Sequence, residues 1–150
     1  RYARQIPVSH LNHMLPGRAR SYRELTYHIF RVGECFLKAT EGATLTDGDL
    51  NKPPGDHLRT GEEIAVYGQK ILEAVQTWWE RTRDSTGEQI IATYFGPQPL
   101  HVVLERTTWH SAQHVRQLMM VLKTLNIEPE GPLLPETLAG LPLPEKVWDD

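Results

Sequence analysis

Apolar residues recur at helical spacing in three stretches of the chain, and polar caps stand where each stretch begins. In the first, Leu25, His28, Val32, Cys35 and Ala39 fall on one face at about 100° per residue, with Phe36 at its edge. Ser21 stands at the N-cap position with Glu24 three residues on, a capping box, and Glu41-Gly42 supplies the stop. A second box, Thr60 to Glu63, opens a helix with Ile64, Ile71, Val75 and Trp78 on one stripe and Leu72 and Trp79 beside it. That helix ends at Asp84 to Gly87. The third and longest helix runs from about Pro99 to about Asn126, with Leu100, Val103, Leu104, Leu118, Val121 and Leu125 as its stripe.

Between these stretches the pattern breaks. Residues 42–61 read as loop, punctuated by Asp47-Gly48, Pro53-Pro54 and Gly55. Ile90 to Tyr94 is β-branched and aromatic before Gly96-Pro97, which predicts a short extended piece. After Ile127 the chain carries five of its eleven prolines, and its leucines and Trp148 argue for an irregular tail that wraps and packs. Long amphipathic helices must bury their stripes on one another, so the expectation is an all-α fold, an antiparallel four-helix-bundle-like arrangement. It is one domain: a leader over residues 1–20, the bundle over 21–126 and the wrapping tail over 127–150.

Composition changes this picture little. At 150 residues and a hydrophobic fraction of 39%, the chain can bury a core without a disulfide or a structural metal. No apolar run reaches the roughly 18 residues of a membrane span, and no signal peptide opens the chain. A cytoplasmic protein with no membrane partner is expected. The chain begins at Arg1 without a methionine, which reads as a piece of a longer polypeptide. A net charge of −3 argues against nucleic acid as a partner. Charge is nevertheless segregated. Residues 1–31 hold six arginines and one acid, while 127–150 hold six acids and one lysine. Either the basic start faces the acidic tail or it serves an anionic ligand.

The histidines break the helical pattern. His110 and His114 are four residues apart, one turn of helix, and both point into the apolar stripe of the last helix. That spacing lets two imidazoles reach one metal ion. His28 sits in the middle of its own stripe and would complete a three-histidine set, which leaves coordination positions open as catalytic sites do. A lone core-facing histidine is ordinarily just hydrogen-bonded, but three on the core faces of two helices favour a metal. Zinc suits three imidazoles best, with nickel, iron and cobalt compatible. Glu24 is either a partner for an imidazole N–H or a solvated capping residue. Cys35, the single cysteine, reads as a small core hydrophobe. His10, His13, His57 and His101 read as surface residues, Trp109 and Arg116 point away from the stripe, and Tyr67, near the presumed core, either packs there or touches a ligand. No catalytic acid or base can be named from the sequence, and no organic cofactor is implied.

The segments Glu24-Leu25-Thr26-Tyr27-His28-Ile29-Phe30-Arg31 and Thr108-Trp109-His110-Ser111-Ala112-Gln113-His114-Val115-Arg116-Gln117-Leu118 resemble the histidine-bearing helices of the DinB-like (damage-inducible-type) superfamily of metal-binding helical bundles. Helix order, the tryptophan-rich helix between and the leucine-proline tail are also similar. The resemblance implies a metal triad of His28, His110 and His114 with a divalent ion, zinc or nickel. It implies metal-dependent transfer of a low-molecular-weight thiol to an electrophilic substrate, or thiol-assisted isomerisation and hydrolysis. The alternatives are a hydrolase using metal-activated water, or a non-catalytic metal-binding and dimerising module of a redox protein. A homodimer and a fused glutaredoxin-like domain are the protein partners implied. The family's full first helix is missing here, leaving only a stub near Arg1 to Gln5.

Overall fold

The computed structural model describes residues 1–83 and 85–148. Its helices are α1 (Tyr2–Gln5), α2 (Tyr22–Thr40), α3 (Asp47–Leu50), α4 (Gly61–Thr82) and α5 (Leu100–Thr124). The fold is mostly helical. The caps of α2 and α4 and the stop of α2 are those anticipated; α4 ends at Thr82, and Asp84, the first residue of its expected stop, lies outside the described residues. Ser21 and Thr60 both form complete capping boxes, with Glu24 and Glu63 returning the bond to the cap backbone. Gly42 (φ 104°) ends α2, and Asn126 (φ 58°) ends α5 in the left-handed region that asparagine tolerates. Pro99 stands as the N-cap of α5 rather than inside its first turn.

Two expectations need correction. Residues 42–61 are not all loop, because Thr46 accepts from the backbone N–H of Asp49 and nucleates the single turn of α3. The extended reading of Ile90 to Tyr94 holds for β1 (Ile90–Ile91), which pairs antiparallel with β2 (Gln98–Pro99). This small hairpin is the only sheet among the described residues. Thr93 also bridges to Leu45, stitching the chain before α3 to the chain before α5.

Helix α2 lies at the centre, with α4 and α5 packed on its two flanks. Its side toward α5 carries two apolar clusters. One gathers Leu25, Tyr22, Leu118, Val121 and Leu122, and the other Cys35, Phe36, Ala39, Leu100 and Val103. The leader over residues 1–20 contributes to this core: Tyr2, Ile6, Leu11 and Leu15 belong to the first cluster. Gly61 is required there, since a Cβ at that position would overlap the Ala3 carbonyl. Trp148, near the end of the tail, packs on the same cluster. On α4 the expected stripe is only partly covered. Ile64 and Trp78 are buried, Ile71 and Val75 are half-buried, and Leu72 and Trp79 remain about half-exposed. Among the described residues, no helix is long and apolar enough to cross a membrane.

Candidate metal centre

Between the two apolar clusters lies one polar layer. Along α2, His28 separates Leu25 from Val32 and Cys35; along α5, His110 and His114 separate Val103 from Leu118. The helical register that buries both clusters therefore aims three imidazoles at one point. Their ring centroids are 4.5 Å (His110–His114), 4.9 Å (His28–His114) and 5.3 Å (His28–His110) apart. One nitrogen from each can be chosen so that all lie within 4.8 Å of one another. The three rings line a cavity of about 400 Å³ that opens to solvent.

The partners of these rings decide which nitrogen faces the cavity. His28 Nδ1 lies 2.9 Å from the Leu50 carbonyl, which can only accept, so Nδ1 carries the proton and Nε2 keeps its lone pair. The turn of α3 supplies that carbonyl. Arg31, one turn along α2, pins α3 by donating from Nε to the Asp49 carbonyl at 2.9 Å. His114 Nδ1 lies 2.7 Å from Gln117 Oε1, and the Gln117 amide nitrogen donates to the Val147 carbonyl at 3.1 Å. Because that nitrogen must face a carbonyl, Gln117 turns its oxygen to His114 and receives the Nδ1 proton. His114 Nε2 is then a bare acceptor 3.2 Å from His110 Nε2.

Tetrahedral zinc with bonds of about 2.0–2.1 Å holds its nitrogen ligands about 3.3 Å apart, so the His110–His114 pair already has the required spacing. In the metal-free protein His110 can donate from Nε2 to His114; an ion would shift that proton to Nδ1. The donor set fits a divalent ion of borderline softness, with outer partners on two of the three ligands as such sites require. Substituting Gln117 by methionine keeps the bulk and removes the orienting amide. Zinc affinity is expected to fall about 10–100-fold with the fold intact, measured by competition with a chromophoric chelator.

The rings are poised as neutral ligands. Burial, then the Arg20 charge and the other two imidazoles, drives His28 down to about 3. Burial, then His114, Arg106 and Arg20, drives His110 to about 4. Both lie below the ordinary value near 6.5, so the unfolded chain binds protons first as the pH falls. The stability this contributes is complete above pH 6.5 and is lost progressively down to pH 4 and 3. Urea titrations of metal-free protein should show a loss on the order of a few kcal/mol between pH 7 and 4, against a shallower slope in His28→Phe. Equal slopes would contradict the burial argument.

The remaining candidates separate cleanly. Glu24 is the capping residue of α2, bound to Ser21, and does not reach His28; the Leu50 carbonyl takes that place. Cys35 is buried in the lower cluster, where desolvation pushes its thiol up, away from thiolate chemistry. Tyr67 bonds Glu34 across the α2–α4 contact and lies outside the cavity lining. His13, His57 and His101 are exposed and His10 is half-buried, none of them near the triad cavity. Arg116 points away from the stripe, as expected, and donates to the tail carbonyls of Pro144 and Glu145. Trp109 stacks under Arg106 instead of lining the cavity. Sequence reasoning missed Leu50, whose contribution is a backbone atom. It also passed over Gln117, for which the three-residue offset from His114 was an available signal.

No protein-family model matches the chain, and no curated protein matches it.

Proposed function

We propose that the chain is a DinB-like metal-binding bundle that holds a divalent ion, zinc foremost and nickel next, on His28, His110 and His114. In this reading it transfers a low-molecular-weight thiol to an electrophilic substrate. The observation that carries the proposal is the convergence of three buried or half-buried imidazoles on an open cavity, two of them fixed with Nε2 toward it. A structural zinc site would be closed by a fourth ligand. Here the fourth direction is the cavity.

Helices α2, α4 and α5 supply three members of the bundle. The segment from α1 to Leu15 stands where the resemblance calls for a full first helix, with a second copy of the chain against the flank of α4 as the complement. Leu72 and Trp79 on that flank would be covered in such a homodimer. A fused glutaredoxin-like domain, which the resemblance implies, would act on any disulfide of the thiol and not on the conjugate.

A bound divalent ion would acidify a thiol and hold it as the thiolate. The chain's own residues do the rest. The apolar side chains Leu15, Leu25, Val32 and Val103 line the cavity and shed water around the substrate. Leu50 and Gln117 hold the rings in register. In the net reaction a carbon–sulfur bond forms, the leaving group departs with its bonding pair, and the thiol proton passes to solvent.

The test is to load the protein with zinc or nickel, then incubate it with a thiol panel and an aryl halide. Conjugate forming faster than in the metal-free control is the expected result. Ester turnover without thiol would instead assign a hydrolase, and no turnover a binding module. Wild-type protein that stays metal-free after incubation with either ion would overturn the reading altogether.

A further inference from the structure

Among the described residues, the triad cavity is lined by three arginines, Arg18, Arg20 and Arg106, against one acid, Asp47. Two of these arginines are held by neutral partners. Arg20, half-buried just before α2, donates to Asn51 Oδ1 at 2.8 Å. Arg106, half-buried on α5 one turn before His110, donates to the Tyr94 hydroxyl at 3.0 Å and lies over the rings of Phe95 and Trp109. Among the described residues, neither has a carboxylate within salt-bridge distance. By contrast, Arg4 pairs with Glu62 and Arg31 with Glu34.

Guanidinium groups carry five donors and stay charged, so a partly desolvated one without an anion is a cost the fold must carry. Asn51, Tyr94 and the aromatic rings orient these two forks, and Glu24 acts on Arg20 only from beyond salt-bridge distance. An anion entering the cavity would meet a wall that carries both forks. The basic start of the sequence divides accordingly. Arg1 and Arg4 engage Tyr2 and Glu62, Arg23 donates to the Leu58 and Gly55 carbonyls, and Arg18 and Arg20 face the cavity.

We propose that the cavity binds a carboxylate-bearing small molecule, with Arg20 and Arg106 as the carboxylate-binding residues and the triad at its inner end. This deepens the metal-dependent reading by naming the charge of the ligand, and it rests on that reading only for what happens at the far end of the molecule. Planar arginine forks match the two oxygens of a carboxylate. The apolar lining from Leu15, Leu25, Val32 and Val103 suits the carbon skeleton behind it.

The test has two arms on the full chain. In the first, metal-free protein is titrated with succinate by calorimetry, with inorganic phosphate and sodium chloride as controls. Succinate should bind in preference to both. Arg20→Gln and Arg106→Gln should each weaken it about 10–100-fold, while Arg81→Gln on the exposed side of α4 leaves it unchanged. If Arg20→Gln fails to fold by circular dichroism, Arg106→Gln alone decides the matter. Phosphate binding as tightly as succinate, or succinate binding insensitive to Arg106→Gln, overturns the proposal. In the second arm, cobalt-loaded protein is titrated with mercaptosuccinate and with 2-mercaptoethanol, followed by the cobalt absorption bands. A preference for mercaptosuccinate that Arg106→Gln abolishes supports the proposal, and equal binding of the two thiols overturns it. Protein that takes up no cobalt yet still binds succinate refutes the metal triad and leaves the anion site standing.

Discussion

Replacing His114 by alanine is expected to lower zinc affinity by two to three orders of magnitude and to remove the thermal stabilisation that zinc confers on the wild type. Four-ligand zinc sites are worth roughly 10–16 kcal/mol in all, so one imidazole carries about 3–4 kcal/mol, and each 1.4 kcal/mol is tenfold. His114 is the best ligand to remove because it is central. Its ring is the nearest neighbour of both other rings, and its Nδ1 is tied to Gln117. Alanine there leaves the buried Gln117 Oε1 without its donor, a cost of about 1–3 kcal/mol that the metal-free fold should survive. His57→Ala, in an exposed loop, should bind zinc like the wild type. Metal analysis after dialysis and thermal melts with and without zinc report the two effects separately. Equal zinc content in the two variants would refute the triad.

Phe36→Ala is expected to cost about 3–5 kcal/mol of folding free energy, a large part of the roughly 5–15 kcal/mol a domain of this size possesses. Phe36 is 1% exposed and meets the edge of Trp78 at 4.9 Å between centroids. It lies in the cluster that includes Leu45 and Val103, two residues that also line the cavity. The void left by alanine would sit between α2 and α4, where the backbones cannot close over it: Gly33 and Gly68 already bring the helices close, against Ile71 and Phe30. Trp79→Ala, at a half-exposed position of α4, should cost far less. Urea midpoints of the two variants measure the contrast. A Phe36→Ala loss no larger than that of Trp79→Ala would show that the lower cluster does not hold the helices together.

The histidine triad was legible in sequence because three residues of one chemistry sat at helical spacing inside apolar stripes, and the stripes themselves fixed the facing. Capping boxes located the starts of α2 and α4 for a similar reason: Ser21 with Glu24 and Thr60 with Glu63 are local interactions, complete within four residues. What escaped was whatever depends on distant partners. Tyr2, Ile6, Leu11 and Leu15 have no common period, and only the cluster they join with side chains of α2 and α5 gives them a shared face. The α3 turn is too short for periodicity to register, and its contribution to the site is a carbonyl, which no side chain announces. Leu72 and Trp79 sat beside a stripe broader than α2 and the short α1 can cover. Arg20 sat in an unpatterned stretch, and its place at the cavity follows from the turn that leads into α2.

The link from the Val147 carbonyl through Gln117 to His114 ties the ring's tautomer to the docking of the tail, and in a metal-binding protein it would set an order of events during maturation. Until the segment around Pro144 to Val147 has docked on α5, the Gln117 amide is free to turn over. In half of its orientations it presents Nε2 to His114, which then carries its proton on the nitrogen an ion requires. Ion capture would thus be delayed until the C-terminal stretch has docked, so that a half-made chain does not trap metal on exposed imidazoles. A protease cut before Pro144 would leave the long helices standing, yet it would register as slow, weak zinc uptake in a stopped-flow trace. The tail would then act as a checkpoint on assembly as well as a wrapping.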